Sequence, residues 1–141
     1  MKSIIIDLNI LLDFIFKRDG HAKAAEIFNL CSKKRIQGLI CAHEITTLFY
    51  FLNKSVKDRC KVKKSIFLIM KHFQIIEINE ELLSKALISE ISDFEDAVIE
   101  VSAIDKSAEY ILTRNVKDFR KSTVTAVTPE ELIVLLNKNP V

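Results

Sequence analysis

Hydrophobic and polar positions along the chain alternate between short apolar runs and longer segments with helical spacing. The first run, at residues 3–6, is rich in isoleucine, a β-branched residue that favours a buried strand. Four later runs have the same character, although the last is weaker. The pattern therefore predicts strands at residues 3–6, 39–41, 74–78, 110–113 and 123–127.

Between these runs, apolar residues recur at spacings of three and four. In the segment 43–54, for example, Ile45, Leu48 and Leu52 fall on one helical face. The predicted helices are 8–16, 21–34, 43–54, 57–73, 80–89, 95–108 and one that begins at Pro129 with Thr128 as its cap.

Strands that alternate with helices predict an α/β fold, in which a parallel sheet is covered on both faces. The chain has 141 residues, of which 49% are apolar and only two are Gly and two Pro. This composition suits one compact domain, and no composition shift marks a boundary. We therefore expect a single domain over residues 1–141.

Charge is distributed unevenly, although the net charge is only +2. Seven basic residues and one acid lie between Asn53 and His72, whereas eight acids and one base lie between Glu77 and Glu100. Such a pattern suits a protein that binds a polyanion and also holds cations. The basic helix 57–73 is thus a candidate surface for a polyanion or a partner, or else a solvated face.

Cysteine and histidine give no sign of a zinc site or of a disulfide framework. Cys31, Cys41 and Cys60 are odd in number and widely spaced, and we expect them to be buried thiols. The histidines are dispersed, and His43, which stands beside Glu44 and could face the site, is expected at the surface. Because no signal-peptide pattern and no membrane-length apolar run occurs, we expect a cytoplasmic protein without a membrane span.

Four acids are expected at the edge of the sheet where the parallel strands end. Asp7 directly follows the first strand, and Asp118 lies in the loop after the strand 110–113. Glu44 begins the helix after the second strand, and Asp96 lies in the first turn of a crossover helix, whose start also faces that edge. Crowded carboxylates suit a hard divalent cation such as Mg²⁺ or Mn²⁺, which promotes phosphodiester hydrolysis.

At these residues the chain resembles the PIN domain family. Ile4–Asn9 resembles the opening strand of PIN domains, in which Asp-x-Asn is typical. Asp93–Ala97 resembles the third acidic motif of one bacterial and archaeal subgroup, and Ile111–Phe119 is very similar to that subgroup's fourth motif. Glu44 matches the family's second acid. The resemblance extends over nearly the whole chain.

The resemblance implies a three-layer α/β/α sandwich around a parallel sheet of four or five strands. It also implies a Mg²⁺- or Mn²⁺-dependent endoribonuclease similar to VapC-type toxins, which form homodimers and are inhibited by a small antitoxin protein. The metal-binding and catalytic acids that it implies are Asp7, Glu44, Asp96 and Asp118, supported by the polar residues Asn9, Thr113 and Asn115.

Three positions depart from this pattern or add to it. Leu8 stands where the family commonly has Thr. Asp93 is a possible further ligand, although it is expected to cap the helix that begins after it. Arg114 could contact a substrate phosphate or pair with a nearby surface acid.

Two rival functions remain open at this point. A phosphatase with an aspartyl nucleophile, or a receiver domain, also places Asp after a first strand. The first would need a second Asp where this chain has Asn9, and the second would need Lys where it has Arg114. The chain could also be a PIN-like binding module without activity.

The aromatic residues predict an interface. Phe49, Tyr50 and Phe51 are consecutive in a predicted helix, so they cannot all face one core. At least one of them must point away from the sheet unless the basic helix covers it. An exposed aromatic of this size is typical of an interface, here that of a homodimer or of a complex with a small partner.

Overall fold

The computed structural model describes residues 1–138, which form a five-stranded sheet with helices on both faces. Residues 139–141, the end of the predicted domain, lie outside the described residues. The strands are β1 Ser3–Ile6, β2 Gln37–Cys41, β3 Gln74–Ile76, β4 Tyr110–Leu112 and β5 Thr125–Val127. The helices are α1 Leu8–Ile15, α2 His21–Ser32, α3 Ala42–Val56, α4 Arg59–His72, α5 Glu80–Leu87, α6 Phe94–Asp105 and α7 Pro129–Lys138.

Each strand and helix predicted from the hydrophobic pattern is present, with ends that differ from the prediction by at most three residues. The cap of α7 is also confirmed. Thr128 Oγ1 accepts a hydrogen bond from the Glu131 N–H at 3.2 Å, and Glu131 Oε2 accepts one from the Thr128 N–H at 3.4 Å. The 3₁₀ helix Val116–Phe119 was not predicted and lies in what was expected to be a plain loop.

All five strands are parallel, in the order β3-β2-β1-β4-β5. The chain builds outward from β1 through β2 to β3, then crosses back to β4 on the other side of β1. The strand order therefore reverses between β1 and β4. In parallel sheets, the crevice beyond the carboxyl ends of the strands at such a point is the usual ligand site.

Side chains of successive strand residues point to opposite faces and divide the core into two layers. Ile4 and Ile6 pack with buried residues of α1, α2, α3, α4 and α7. Ile5 packs instead with buried residues of α5 and α6. This arrangement confirms the α/β/α sandwich, because one hydrophobic layer lies on each side of the sheet.

The expectation that all three cysteines are buried was wrong for one of them. Cys31 and Cys41 are buried, but Cys60 is exposed on the outer side of α4.

The aromatic run of α3 is partly exposed, as its helical spacing predicts. Tyr50 is 60% exposed, so α4 leaves this part of the run uncovered. No helix within residues 1–138 is long and apolar enough to cross a membrane.

Candidate functional site

Asp7 is the first residue after β1 and is held at the sheet edge by the neighbouring strand. Its backbone N–H donates to the Leu112 carbonyl at 2.9 Å, which extends the β1–β4 pairing by one residue. The buried Thr113 hydroxyl donates to Asp7 Oδ2 at 2.8 Å and accepts from the Asn115 N–H at 3.0 Å. Burial raises the pKa of Asp7, and the Thr113 hydrogen bond offsets part of this rise.

Glu44 is the most deeply buried acid of the site. It lies in the first turn of α3 and is 1% exposed, and neither of its carboxylate oxygens makes a hydrogen bond of good geometry within residues 1–138. Burial, followed by the nearby Asp7 carboxylate, raises the pKa of Glu44 well above its ordinary value of 4.5. A buried carboxylate without partners is unfavourable, so this group needs either a proton or a cation.

Asp96 lies in the first turn of α6, and its backbone N–H donates to Asp93 Oδ1 at 3.0 Å. Asp93 is thus the N-cap of α6, as the sequence indicated. Burial raises the pKa of Asp96 to about 7, and the carboxylates of Asp93, Asp7 and Asp118 contribute in the same direction. Asp118 itself is exposed within the 3₁₀ helix Val116–Phe119.

These acids line one cleft at the carboxyl edge of the sheet, with a volume of about 400 Å³. The name acidic cleft is used for it below. The four acids taken from the sequence all contribute to its wall, together with two of the three supporting polar residues. Its polar and charged lining consists of Asp7, Asn9, His43, Glu44, Thr47, Asp93, Glu95, Asp96, Asn115 and Asp118.

Two of the predicted residues lie elsewhere. Thr113 is buried behind the wall and acts on Asp7 through its hydrogen bond. Arg114 Nε donates to Asp13 Oδ2 at 3.0 Å, and Asp13 is a buried residue of α1 rather than a surface acid. Burial raises the pKa of Asp13, and the Arg114 guanidinium offsets part of that rise.

Glu95 and His43 are cleft residues that the sequence reasoning missed. Glu95 follows the cap of α6 by two residues, and this acid-rich start of a helix was a usable signal. His43 was expected at the surface, but it is half-buried beside Glu44, with its Nε2 3.9 Å from Glu95 Oε1. Burial lowers the pKa of His43, and Glu95 partly opposes this shift.

The donor chemistry of the acidic cleft fits a hydrated divalent cation. No group of three or more His, Cys, Asp and Glu side chains within the described part of the chain is arranged to enclose a metal ion by itself. Mg²⁺, however, commonly binds through only one or two carboxylates and keeps several water ligands. The carboxylate of Glu44 lies next to Asp7 and makes no hydrogen bond of good geometry within residues 1–138. When ionised, it has the negative charge that such an ion would neutralise.

The sequence of this chain matches a known protein family. The sequence profile of the PIN domain matches residues 3–117, which is most of the chain. The chain belongs to the PIN domain family. The profile match ends one residue before Asp118. The structure shows that Asp118 of this PIN domain nevertheless lies in the wall of the acidic cleft. No curated protein sequence matches the chain.

Solved structures share the fold over nearly its full extent. A toxin–antitoxin complex from Klebsiella pneumoniae is 25% identical with a TM-score of 0.68, over 90% of this chain and 98% of that chain. DNA-bound VapBC from Salmonella typhimurium is 14% identical with a TM-score of 0.68, over 92% and 99%. VapC20 from Mycobacterium tuberculosis, a sarcin-ricin loop cleaving toxin, is 16% identical with a TM-score of 0.60, over 77% and 87%.

Proposed function

We propose that this PIN domain is a divalent-metal-dependent nuclease that hydrolyses RNA phosphodiester bonds. The observation that carries the proposal is the buried carboxylate of Glu44 beside Asp7, which makes no hydrogen bond of good geometry within residues 1–138 and lies in a cleft also lined by Asp96 and Asp118. Burying acids without a counter-charge lowers the stability of a protein. Such a loss is expected at a functional site, here one in which the acids bind a metal ion. The fold shared with VapC20, a cleaving toxin, supports the same activity.

In this proposal Asp7, Glu44, Asp96 and Asp118 would together hold a hydrated Mg²⁺ or Mn²⁺ ion, one or two of them directly and the others through its water ligands. When bound, such an ion lowers the pKa of a coordinated water and polarises a phosphoryl oxygen. The protein's own groups fix the acids: Thr113 orients Asp7, and Asp93 orders the first turn of α6, which carries Asp96. The amide side chains of Asn9 and Asn115 face the same cleft and can donate hydrogen bonds to the phosphodiester.

We also infer that the protein is the toxin of a type II toxin–antitoxin pair, with a small antitoxin protein as its partner. Two of the similar structures, from Klebsiella pneumoniae and Salmonella typhimurium, are toxin–antitoxin or VapBC assemblies. The surface of α4 offers apolar area for a partner, because Phe67, Leu68 and Met70 are exposed there. Co-purification with the product of an adjacent short gene tests this inference.

Metal dependence is tested with purified protein and single-stranded RNA in Mg²⁺, in Mn²⁺ and in EDTA. We expect cleavage with either metal, its loss in EDTA and its return when metal is added again. Equal cleavage in EDTA would contradict the metal mechanism. Calorimetric titration with Mn²⁺ separates a nuclease from an inactive binding module, which would show no uptake dependent on Asp7.

The site assignment is tested by Asp7→Asn and Asp96→Asn, which remove a ligand charge and keep the side-chain volume. We expect both variants to fold and to lose about 100-fold or more in kcat/KM, equivalent to about 2.7 kcal/mol of transition-state stabilisation. Asp105→Asn is the matched control, since Asp105 is an exposed acid at the other end of α6. Full activity in either cleft variant would show that the site is misassigned.

A further inference from the structure

A second concave surface adjoins the acidic cleft. It lies between the loop Glu90–Ser92 and the 3₁₀ helix Val116–Phe119 and has a volume of about 260 Å³. Asp118 lines both cavities, so the two lie next to each other. Three cationic side chains in this second cavity, called the basic rim below, are Lys117, Arg120 and Lys121.

The basic rim is available to an external anion. All three residues are exposed, and none of them forms an ion pair within 4.0 Å with a carboxylate among residues 1–138. Arg114 differs, because its guanidinium is already engaged by Asp13. The acids that share the cavity with the basic rim are Glu90 and Asp118.

The electrostatics of the acidic cleft require cations nearby if a phosphodiester is to bind. Six acids line that cleft: Asp7, Glu44, Asp93, Glu95, Asp96 and Asp118. One divalent ion offsets two negative charges, so a polyanion would still meet repulsion. The basic helix α4 contributes no side chain to the wall of the acidic cleft, whereas the basic rim begins at the residue next to Asp118.

We propose that the basic rim is a phosphate-binding subsite for the RNA strand, next to the phosphodiester that lies in the acidic cleft. This inference rests on the nuclease function proposed above. The lysines supply point charges and Arg120 can bind two phosphate oxygens at once. Such contacts position the strand without reading its sequence. They act on substrates that continue past the cleaved bond, and little on a substrate with a single phosphate.

The test compares two triple variants that remove the same charge. Lys117→Gln/Arg120→Gln/Lys121→Gln changes the basic rim. Lys33→Gln/Lys34→Gln/Lys106→Gln changes three exposed lysines that precede β2 or β4, at the opposite edge of the sheet. Each protein is assayed on single-stranded RNA with Mg²⁺ and on bis(4-nitrophenyl) phosphate, a small diester, with Mn²⁺. Melting temperatures check that both variants are folded.

For the rim variant we expect KM on RNA to rise roughly tenfold at low salt, and the ratio of kcat/KM on RNA to that on the small diester to fall by a similar factor. A plot of log(kcat/KM) against log[salt] has a negative slope, and its steepness should fall by about 2 in the rim variant. Each of the three lost phosphate contacts with a single strand contributes about 0.7. The control variant should keep the wild-type ratio and slope.

Two results would overturn the subsite. One is a rim variant with the wild-type KM and salt slope on RNA. The other is an equal loss on RNA and on the small diester, which would place these residues in the chemistry rather than on the strand. If the wild-type protein hydrolyses neither substrate with any metal, the nuclease proposal itself fails, and that result is distinguishable from both.

Discussion

At the scale of single residues, the acidic cleft brings six carboxyl groups into one wall. Glu44 is buried and makes no hydrogen bond of good geometry with any of the residues that the structure describes, and each of Asp7, Glu44 and Asp96 has a raised pKa, mainly because of burial. Groups of this kind reduce the stability of the metal-free protein and increase the gain from binding a cation. Binding of a cation would therefore stabilise the proposed metal site.

A pH prediction follows from Asp96. Burial raises its pKa from 3.8 to about 7, so the native state binds this proton more tightly than the unfolded state does. The free energy of unfolding of the metal-free protein should therefore decrease as pH rises from about 4 to about 7, and Glu44 acts in the same direction. We expect Asp96→Asn to flatten this decrease, measured by urea unfolding in EDTA across that range.

The control for this measurement is again Asp105→Asn, which should keep the wild-type pH profile because Asp105 is exposed and outside the acidic cleft. Adding Mn²⁺ at pH 8 should raise the melting temperature of the wild type more than that of Asp96→Asn. The same pH dependence of the metal-free stability in wild type and Asp96→Asn would contradict the assignment.

At the scale of secondary-structure elements, the site is assembled by links between the ends of β1, β4 and α1. Thr113 joins the end of β4 to Asp7 at the end of β1, and it also orders the following turn through Asn115. Arg114 joins the same turn to Asp13 in α1. These contacts hold the segment that leads to Asp118 against the rest of the acidic cleft.

The Thr113 link can be tested by two substitutions of similar size. Thr113→Val removes the hydroxyl and leaves the buried Asp7 oxygen without its donor, which should cost about 1–3 kcal/mol of stability and lower kcat. Thr113→Ser keeps the hydroxyl and should retain most of the activity. Urea unfolding and RNA cleavage measure the two effects, and equal activity in both variants would show that the hydrogen bond does not position Asp7.

The basic helix α4 gives a second prediction at this scale. Reversing the charge of Lys61, Lys63 and Lys64 to Glu should weaken RNA binding and reduce its salt dependence, if this face contacts phosphates. Fluorescence anisotropy with labelled RNA at several salt concentrations measures both quantities. Binding and salt slope identical to those of the wild type would show that the lysines form only a solvated face.

At the scale of the whole molecule, apolar side chains remain exposed after the two core layers have formed. Tyr50 stacks edge-to-face with Phe51, at 5.6 Å between ring centroids, and is largely exposed on α3. Phe51 lines the acidic cleft, so this aromatic pair connects the site to the outer surface. Large exposed aromatics on a small domain are characteristic of an interface.

We therefore predict a homodimer that uses the aromatic surface of α3. Light scattering across a concentration series should give a mass that rises toward the dimer, and Tyr50→Ser should shift this equilibrium toward the monomer. Ile88→Ser is the control, because Ile88 is a similarly exposed apolar residue at the end of α5. A strictly monomeric mass at high concentration without a partner would reject the dimer and leave the nuclease proposal intact.

Much of the site could be predicted from the sequence because its acids follow from position in the parallel sheet. Asp7 and Asp118 come after strands, and Glu44 and Asp96 begin helices that start at the same edge, so the topology brings them together. Glu95 and His43 were missed because a helical spacing gives a residue's face only approximately, and their inward position depends on how α3 and α6 pack.

The sequence by itself determined the elements, the α/β class and the edge at which the acids gather, because hydrophobic periodicity and the alternation of strands with helices are properties of local spacing. Only the tertiary structure decided which groups are left without partners. The burial of Glu44 without a hydrogen bond of good geometry in the described part of the chain, the pairing of Asp13 with Arg114 and the exposure of the basic rim all depend on how residues distant in the chain pack. Burial and charge pairing act through space, and no local pattern encodes them.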